Sequence, residues 1–318
     1  MIIFRLPFEN TIYSTKENTD GDFISFFSFD NSQEIKIQGE IFPLSEDELN
    51  DISFSLPTKD ESTPNETFDD YIEKIKSTVK FIKENELPKL VIARKKQVKY
   101  NNIQIVESFK NLIKTYPSAF VYAFVQDGIC WMGAFSELLG KYTPKTKVFE
   151  TMSLAGTLPI TENWTEKEIE EQKPVTNYIE ERMKRFVTNL HVSETYDHPS
   201  GNIKHLRNDF KGILEESQVE DLIQELHPTP AVCGIPKDFC KSAIARFEKF
   251  DRELYAGYSK IQLKETTYYF VNLRCGKFYT NQAELFVGGG ITALSNPEKE
   301  WQETELKSEA LLKNMVIS

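Results

Sequence analysis

Apolar side chains recur along this chain in two periods, and the change from one period to the other marks out its elements. Alternation dominates the first sixty residues: stretches 23–29 and 34–41 set apolar and polar side chains on opposite sides, as half-buried strands do. At 58–65 the apolar positions stop, and Lys, Asp, Glu, Ser and Pro predict an exposed loop. From 67 to 84 the period lengthens, with Phe68, Tyr71, Ile72, Ile75, Val79 and Ile82 at helical spacing. This helix feeds a β-branched run at 89–98 that predicts a strand, so Lys89 stands at a helix-to-strand junction. A helix is predicted at 103–115, then a hairpin of 120–125 and 129–135 turned at Asp127-Gly128.

Farther on, residues 153–157 read as a loop or strand end, and 165–190 as a long helix with acidic residues at its start. Pro174 interrupts that pattern and predicts a kink, or a helix that begins there. A helix at 238–249, strands at 255–259, 266–275 and 282–287, and a closing helix at 297–313 follow. The strand at 282–287 ends in Gly288-Gly289-Gly290. With no exact repeat and no linker, the chain reads as one domain of mixed strands and helices, residues 1–66 being a strand-rich part of the same domain as 67–318.

Composition adds limits. At 318 residues and 40% hydrophobic, the chain holds enough apolar material for one large core or two ordinary ones, which excludes disorder. Its net charge of −11 repels polyanions, making nucleic acid and anionic membrane poor partners. Cys130, Cys233, Cys240 and Cys275 lack the C-x-x-C spacing of structural zinc and are too few for a disulfide framework, so they read as reduced thiols in a cytoplasmic protein. Neither a signal-peptide core nor an apolar run of roughly 20 residues appears, and a soluble protein is expected.

Several clusters carry candidate chemistry. Glu300 and Glu303 lie three residues apart, where helical side chains share a face, and Glu168 and Glu171 repeat the spacing. Facing each other, two such pairs offer an all-oxygen site for a hard cation; singly, they read as solvated helix faces. The triple glycine permits positive φ and leaves backbone N–H groups open to an anion, or else marks a tight strand bend. It fits neither the Walker pattern nor G-x-G-x-x-G. Phe250-Asp251-Arg252-Glu253 suggests a structural ion-pair network, Arg274 either surface placement or carboxylate recognition, and residues 227–231 (His-Pro-Thr-Pro-Ala) a stiff loop. His205 follows a Ser-Gly turn, and no histidine pair has metal spacing.

Taken in order, Lys89-Leu90-Val91-Ile92-Ala93-Arg94, Glu137, Leu154-Ala155-Gly156-Thr157, the 227–231 segment, Phe250-Asp251-Arg252-Glu253, Leu273-Arg274-Cys275, the run 286–291 and Glu300-Trp301-Gln302-Glu303-Thr304 form a series. Over roughly residues 67 to 315 the sequence resembles the chorismate-binding enzymes, and within them the isochorismate synthases. The resemblance implies a single-domain α+β fold with antiparallel sheets packed face to face and helices outside. It also implies Mg²⁺ dependence, chorismate as substrate, and a product feeding menaquinone or siderophore biosynthesis. Lys89 falls on the family's general base for water attack at ring carbon 2, and Glu137 on the general acid that protonates the departing 4-hydroxyl. Glu168, Glu171, Glu300 and Glu303 fall on the metal shell. Ala155, Gly156, Thr157, His205, Tyr255, Arg274, Gly288, Gly289, Gly290 and Lys307 fall on the substrate pocket. No glutaminase partner is implied. Salicylate synthase, which goes on to eliminate pyruvate, and an inactive chorismate-binding paralogue stay open.

The chain departs from the family pattern in three places. Phe135-Ser136 precedes the acid where Ser-Pro is common, Gln172 stands where a histidine usually follows the first metal glutamate, and the part before residue 67 is short. A register slip of four at the second departure would put Val175 in the ligand position.

Overall fold

In a computed structural model describing residues 1–16, 22–59, 66–200 and 203–318, two large antiparallel sheets pack face to face. Among the described residues each holds nine strands. The first runs from Gly234–Ile235 through Lys89–Lys99, Gln282–Ile291, Cys275–Phe278, Ile129–Phe135 and Phe120–Gln126 to the N-terminal strands Ile2–Arg5, Ile12–Lys16 and Glu40–Leu44. The second runs from Thr188–Val192 through Ile203–Ile213, Val148–Pro159, Leu138–Thr143, Thr266–Val271 and Tyr258–Leu263 to Phe23–Phe27 and Glu34–Gln38, with Tyr196–Ser200 also on Ile203–Ile213. Residues 1–66 thus contribute strands to both sheets.

Strand alternation sorts the side chains between two cores. From Phe120–Gln126, Phe120, Tyr122 and Phe124 enter the core between the sheets with Phe26, Phe149 and Phe270. Val121 and Ala123, facing the other way, join Phe109 and Leu112 of helix Ile105–Thr115 and Leu311 of helix Pro297–Leu312. A capping box between Thr67 and Asp70 starts helix Phe68–Glu84, and Asp127 and Gly128 both take positive φ in the hairpin turn.

Four expectations change. The stretch 266–275 is not one strand: Thr266–Val271 belongs to the second sheet and Cys275–Phe278 to the first, and the chain crosses between them with Arg274 at φ 44°. The triple glycine is neither a strand end nor a bend. It lies inside Gln282–Ile291, paired with Ala93, Ile92 and Val91, and none of the three has positive φ. Residues 153–157 lie within Val148–Pro159, whose register shifts between Ala155 and Leu158. Helix Glu166–Phe186 runs through Pro174 and then yields to strand Thr188–Val192, so 188–190 leave the helix. Of the exposed-loop stretch 58–65, residues 60–65 lie outside the described residues, as does Gly201 of the Ser-Gly turn before His205.

Among the described residues no helix is long and apolar enough to cross a membrane.

Candidate active site

Two crossovers between the sheets define one end of the sandwich. Ser136 and Glu137 link Ile129–Phe135 of the first sheet to Leu138–Thr143 of the second, and residues 272–274 make the return crossing. The crossings are stitched together, since Val271 N donates to Glu137 O at 3.0 Å and Ala134 N donates to Arg274 O at 3.2 Å. Glu137 and Arg274 therefore come from places where the chain leaves one ladder for the other, and both line one cleft with ≈ 860 Å³ of empty volume, counting the space at its mouth.

Lys89, Glu137, Ala155, Gly156, Thr157, Glu171, His205, Tyr255, Arg274, Gly288, Gly289, Gly290, Glu303 and Lys307 all border this cleft, so fourteen of the sixteen residues singled out in the sequence meet there. Glu168 and Glu300 are the two that do not.

Lys89 is 4% exposed, at the first position of strand Lys89–Lys99, and its Nζ donates to Glu171 Oε1 at 2.7 Å. Glu171 carries the carboxylate toward the cleft, while Gln172 turns the other way and donates to Ser153 Oγ at 3.1 Å and Asn208 Oδ1 at 2.8 Å. Val175 is buried in the main core, so helix Glu166–Phe186 presents Glu171, and not Val175, to the cleft.

Glu137 is 5% exposed and receives a hydrogen bond from Thr229 Oγ1 at 3.2 Å. Burial pushes its carboxyl up to about 7, against the opposing pulls of the Thr229 bond and of the positive charges of Lys89 and Lys307. The 227–231 segment thus has chemistry the sequence did not assign: Thr229 touches the proposed acid, and Ala231 with Val232 forms cleft wall. That loop is anchored by Arg252, which donates to Val232 O and Val91 O while its guanidinium binds both oxygens of Glu248; both partners are 2% exposed. Here the Phe250–Glu253 motif does form an ion-pair network, and it ties the loop to the strand that carries Lys89.

Arg274 donates to Ser200 Oγ at 2.6 Å and to His205 Nε2 at 3.2 Å. A guanidinium only donates, so Nε2 is the acceptor and Nδ1 carries the proton, which it gives to Gly156 O at 2.9 Å. Burial, with Arg274 alongside, holds the His205 pKa down to about 3, consistent with that neutral tautomer. With both ring nitrogens engaged by protein, His205 bridges Arg274 to Gly156 of strand Val148–Pro159. Gly156 sits at φ 69°, and a Cβ there would lie 3.2 Å from Glu168 Cβ, so the glycine lets helix Glu166–Phe186 approach this wall.

The carboxylates divide. Glu168 closes the capping box of its own helix on Thr165, which directs it to the helix N-terminus. Glu300, 1% exposed, and Glu303 lie against Gly289, where a Cβ would stand 3.2 Å from Glu300 Oε2 and 3.8 Å from Glu303 Oε1; Glu171 Oε1 lies against Gly290. Carboxylate oxygens alone are the donor set of a hard cation, and Glu171, Glu300 and Glu303 fit one chemically. Among the described residues no group of three or more His, Cys, Asp or Glu side chains is gathered as a metal centre. Glu171 is on Lys89 and Glu303 on Lys307, each through Oε1 at 2.7 Å.

The family model described as chorismate binding enzyme matches residues 32–316. Isochorismate synthase MenF of Bacillus subtilis (strain 168) is 29% identical over 263 residues, covering 77% of this chain and 55% of the relative. The MenF of Escherichia coli (strain K12) is 28% identical over 269 residues, covering 80% of this chain and 61% of the relative. The chain therefore spans less than two thirds of the length of either. Among solved structures, a putative 2,3-dihydroxybenzoate-specific isochorismate synthase, DhbC from Bacillus anthracis, superposes with a TM-score of 0.82 at 23% identity over 98% of this chain and 95% of that one. The chain belongs to the chorismate-binding enzymes.

Proposed function

We propose that this chorismate-binding enzyme is an isochorismate synthase, which converts chorismate to isochorismate by adding water at ring carbon 2 and releasing the 4-hydroxyl as water. The observation that carries this reading is Glu137, a buried carboxyl with its pKa pushed up to about 7, facing the same cleft as Lys89. An acid held protonated near neutrality can give its proton to a departing hydroxyl, and an amine across the cleft can take one from the attacking water. The step balances with Lys89 entering as the neutral amine, its ammonium proton first released through Glu171: one water enters and loses a proton to Lys89, the ring double bond shifts, and the 4-oxygen leaves as water with the proton of Glu137.

Chorismate carries two carboxylates, and the cleft offers Arg274, bonded to His205, and Lys307, whose Nζ also donates to Gly288 O at 2.9 Å. Glu171, Glu300 and Glu303 would hold Mg²⁺, which when bound neutralises the ring carboxylate and fixes its orientation. Ala231 and Val232, with Leu154 and Phe286, give the ring an apolar wall and limit the water around it.

The test is to incubate the purified protein with chorismate and Mg²⁺ and to identify products by chromatography and mass. Isochorismate is expected, and its formation should stop when the metal is chelated. Salicylate with pyruvate, anthranilate in the presence of ammonia, or unchanged chorismate would each defeat the proposal.

A further inference from the structure

We propose that Gly290 is a positioning residue for Lys89: its missing side chain is the space in which the Lys89 amine and the Glu171 carboxylate meet at the cleft. This rests on the reading of Lys89 as the base.

Three adjacent glycines invite one shared explanation, yet their surroundings differ. Positive φ explains none of them. At Gly288 a Cβ would stand 2.9 Å from Ile92 O and 3.1 Å from Ala93 Cα, backbone atoms of the neighbouring strand that cannot yield without parting the ladder. At Gly289 it would meet only the carboxylate ends of Glu300 and Glu303, at 3.2 and 3.8 Å. At Gly290 it would stand 2.3 Å from Lys89 Cε, 2.8 Å from Lys89 Nζ and 2.7 Å from Glu171 Oε1. The nearest atoms are thus the far ends of two flexible side chains and no backbone.

Register explains the crowding. Gly290 lies opposite Val91 and Ile291 opposite Leu90, so Lys89 enters its strand just past Gly290 and its side chain lies across the glycine. An alanine at 290 therefore meets Lys89 and Glu171 first, where they now lie. Contact distances below about 3 Å leave no room for both, so the amine must move by a distance comparable to an ångström, and misplacement on that scale costs on the order of 100-fold in rate.

The three single alanine variants separate this from general damage. Thermal melts, chorismate affinity by calorimetry, kcat and KM are measured for G288A, G289A, G290A and the parent, with K89A as reference, and the G290A crystal structure is determined. The expected result for G290A is a melting temperature close to the parent, chorismate affinity within about threefold, a kcat lower on the order of 100-fold, and Lys89 Nζ displaced from Glu171. G288A should lose stability, and in G289A, whose Cβ meets Glu300 and Glu303 and neither Lys89 nor Glu171, the Lys89 amine should stay on Glu171. A G290A enzyme with parental kcat, or with an undisplaced Lys89, overturns the proposal, as does a loss of stability and binding matching that of G288A. Full turnover in K89A would instead remove Lys89 as base, and the role assigned to Gly290 with it.

Discussion

Glu137 shows at the scale of one residue how burial makes chemistry. A carboxyl taken out of water and given only one hydrogen bond prefers its neutral form, and that preference is paid from stability. Its folded pKa of about 7 exceeds the ordinary 4.5, so between those values the folded chain holds a proton that the unfolded chain has released. The contribution of Glu137 to stability falls as pH rises through that window, by about 3 kcal/mol, and levels off above it. Substituting Glu137→Gln removes the titrating group. Melting temperature followed from pH 4 to 9 should show the parent losing stability relative to the Gln variant between about 4.5 and 7, while turnover drops by roughly two to four orders of magnitude. Parallel stability profiles would mean that Glu137 is not held protonated. Much of this cleft was legible because Lys89, Glu137, Glu171, Glu303, Arg274 and Lys307 stand in or beside the motifs that carry the resemblance to the chorismate-binding enzymes, which implied them. Thr229 was harder to find: a hydroxyl in a proline-rich loop gives no sign of which carboxylate it will touch 92 positions away. Glu168 illustrates the converse, since the helical spacing that pairs it with Glu171 also suits it to cap its own helix.

Elements were legible where one face alone is buried. Helix Phe68–Glu84 and the hairpin of Phe120–Gln126 and Ile129–Phe135 follow their sequence periods closely, because amphipathic periodicity and turn chemistry act locally. Stretch 266–275 misled because alternation continues across a crossover, where only the positive φ of Arg274 reveals the change of sheet. Stretch 188–235, with strand Ile203–Ile213 and helix Val219–Leu226, went largely unread; Ile203–Ile213 takes three strand partners and is set by tertiary pairing. The strand carrying Lys89 depends on such a long-range tie. Arg252 joins it to the 227–233 loop and to Glu248, which in turn accepts from Ala93 N at 2.7 Å. Arg252→Ala should leave Glu248 buried without its cation and cost about 3–5 kcal/mol, read from denaturant unfolding. A loss below about 1 kcal/mol, the range of exposed pairs, would show that the network carries little of the fold.

At the scale of the whole molecule, a chain of net charge −11 is proposed to take a dianion. Total charge governs the distant field, whereas the ligand would meet Lys89, Arg274 and Lys307 inside the cleft. Both sheets contribute: the first supplies Lys89 and the glycine strand, the second the Ala155-Gly156-Thr157 wall and His205, and the crossings supply Glu137 and Arg274. The site therefore exists only when the sandwich is assembled, and the reaction proposed for it turns on the origin of one oxygen atom. With chorismate and Mg²⁺ in oxygen-18 water, the enzyme should release isochorismate bearing one heavy oxygen, at the carbon 2 hydroxyl, and Lys89→Ala should release none. Unlabelled isochorismate, with the original hydroxyl carried across the ring, would rule out attack by water at carbon 2 and with it Lys89 as the base.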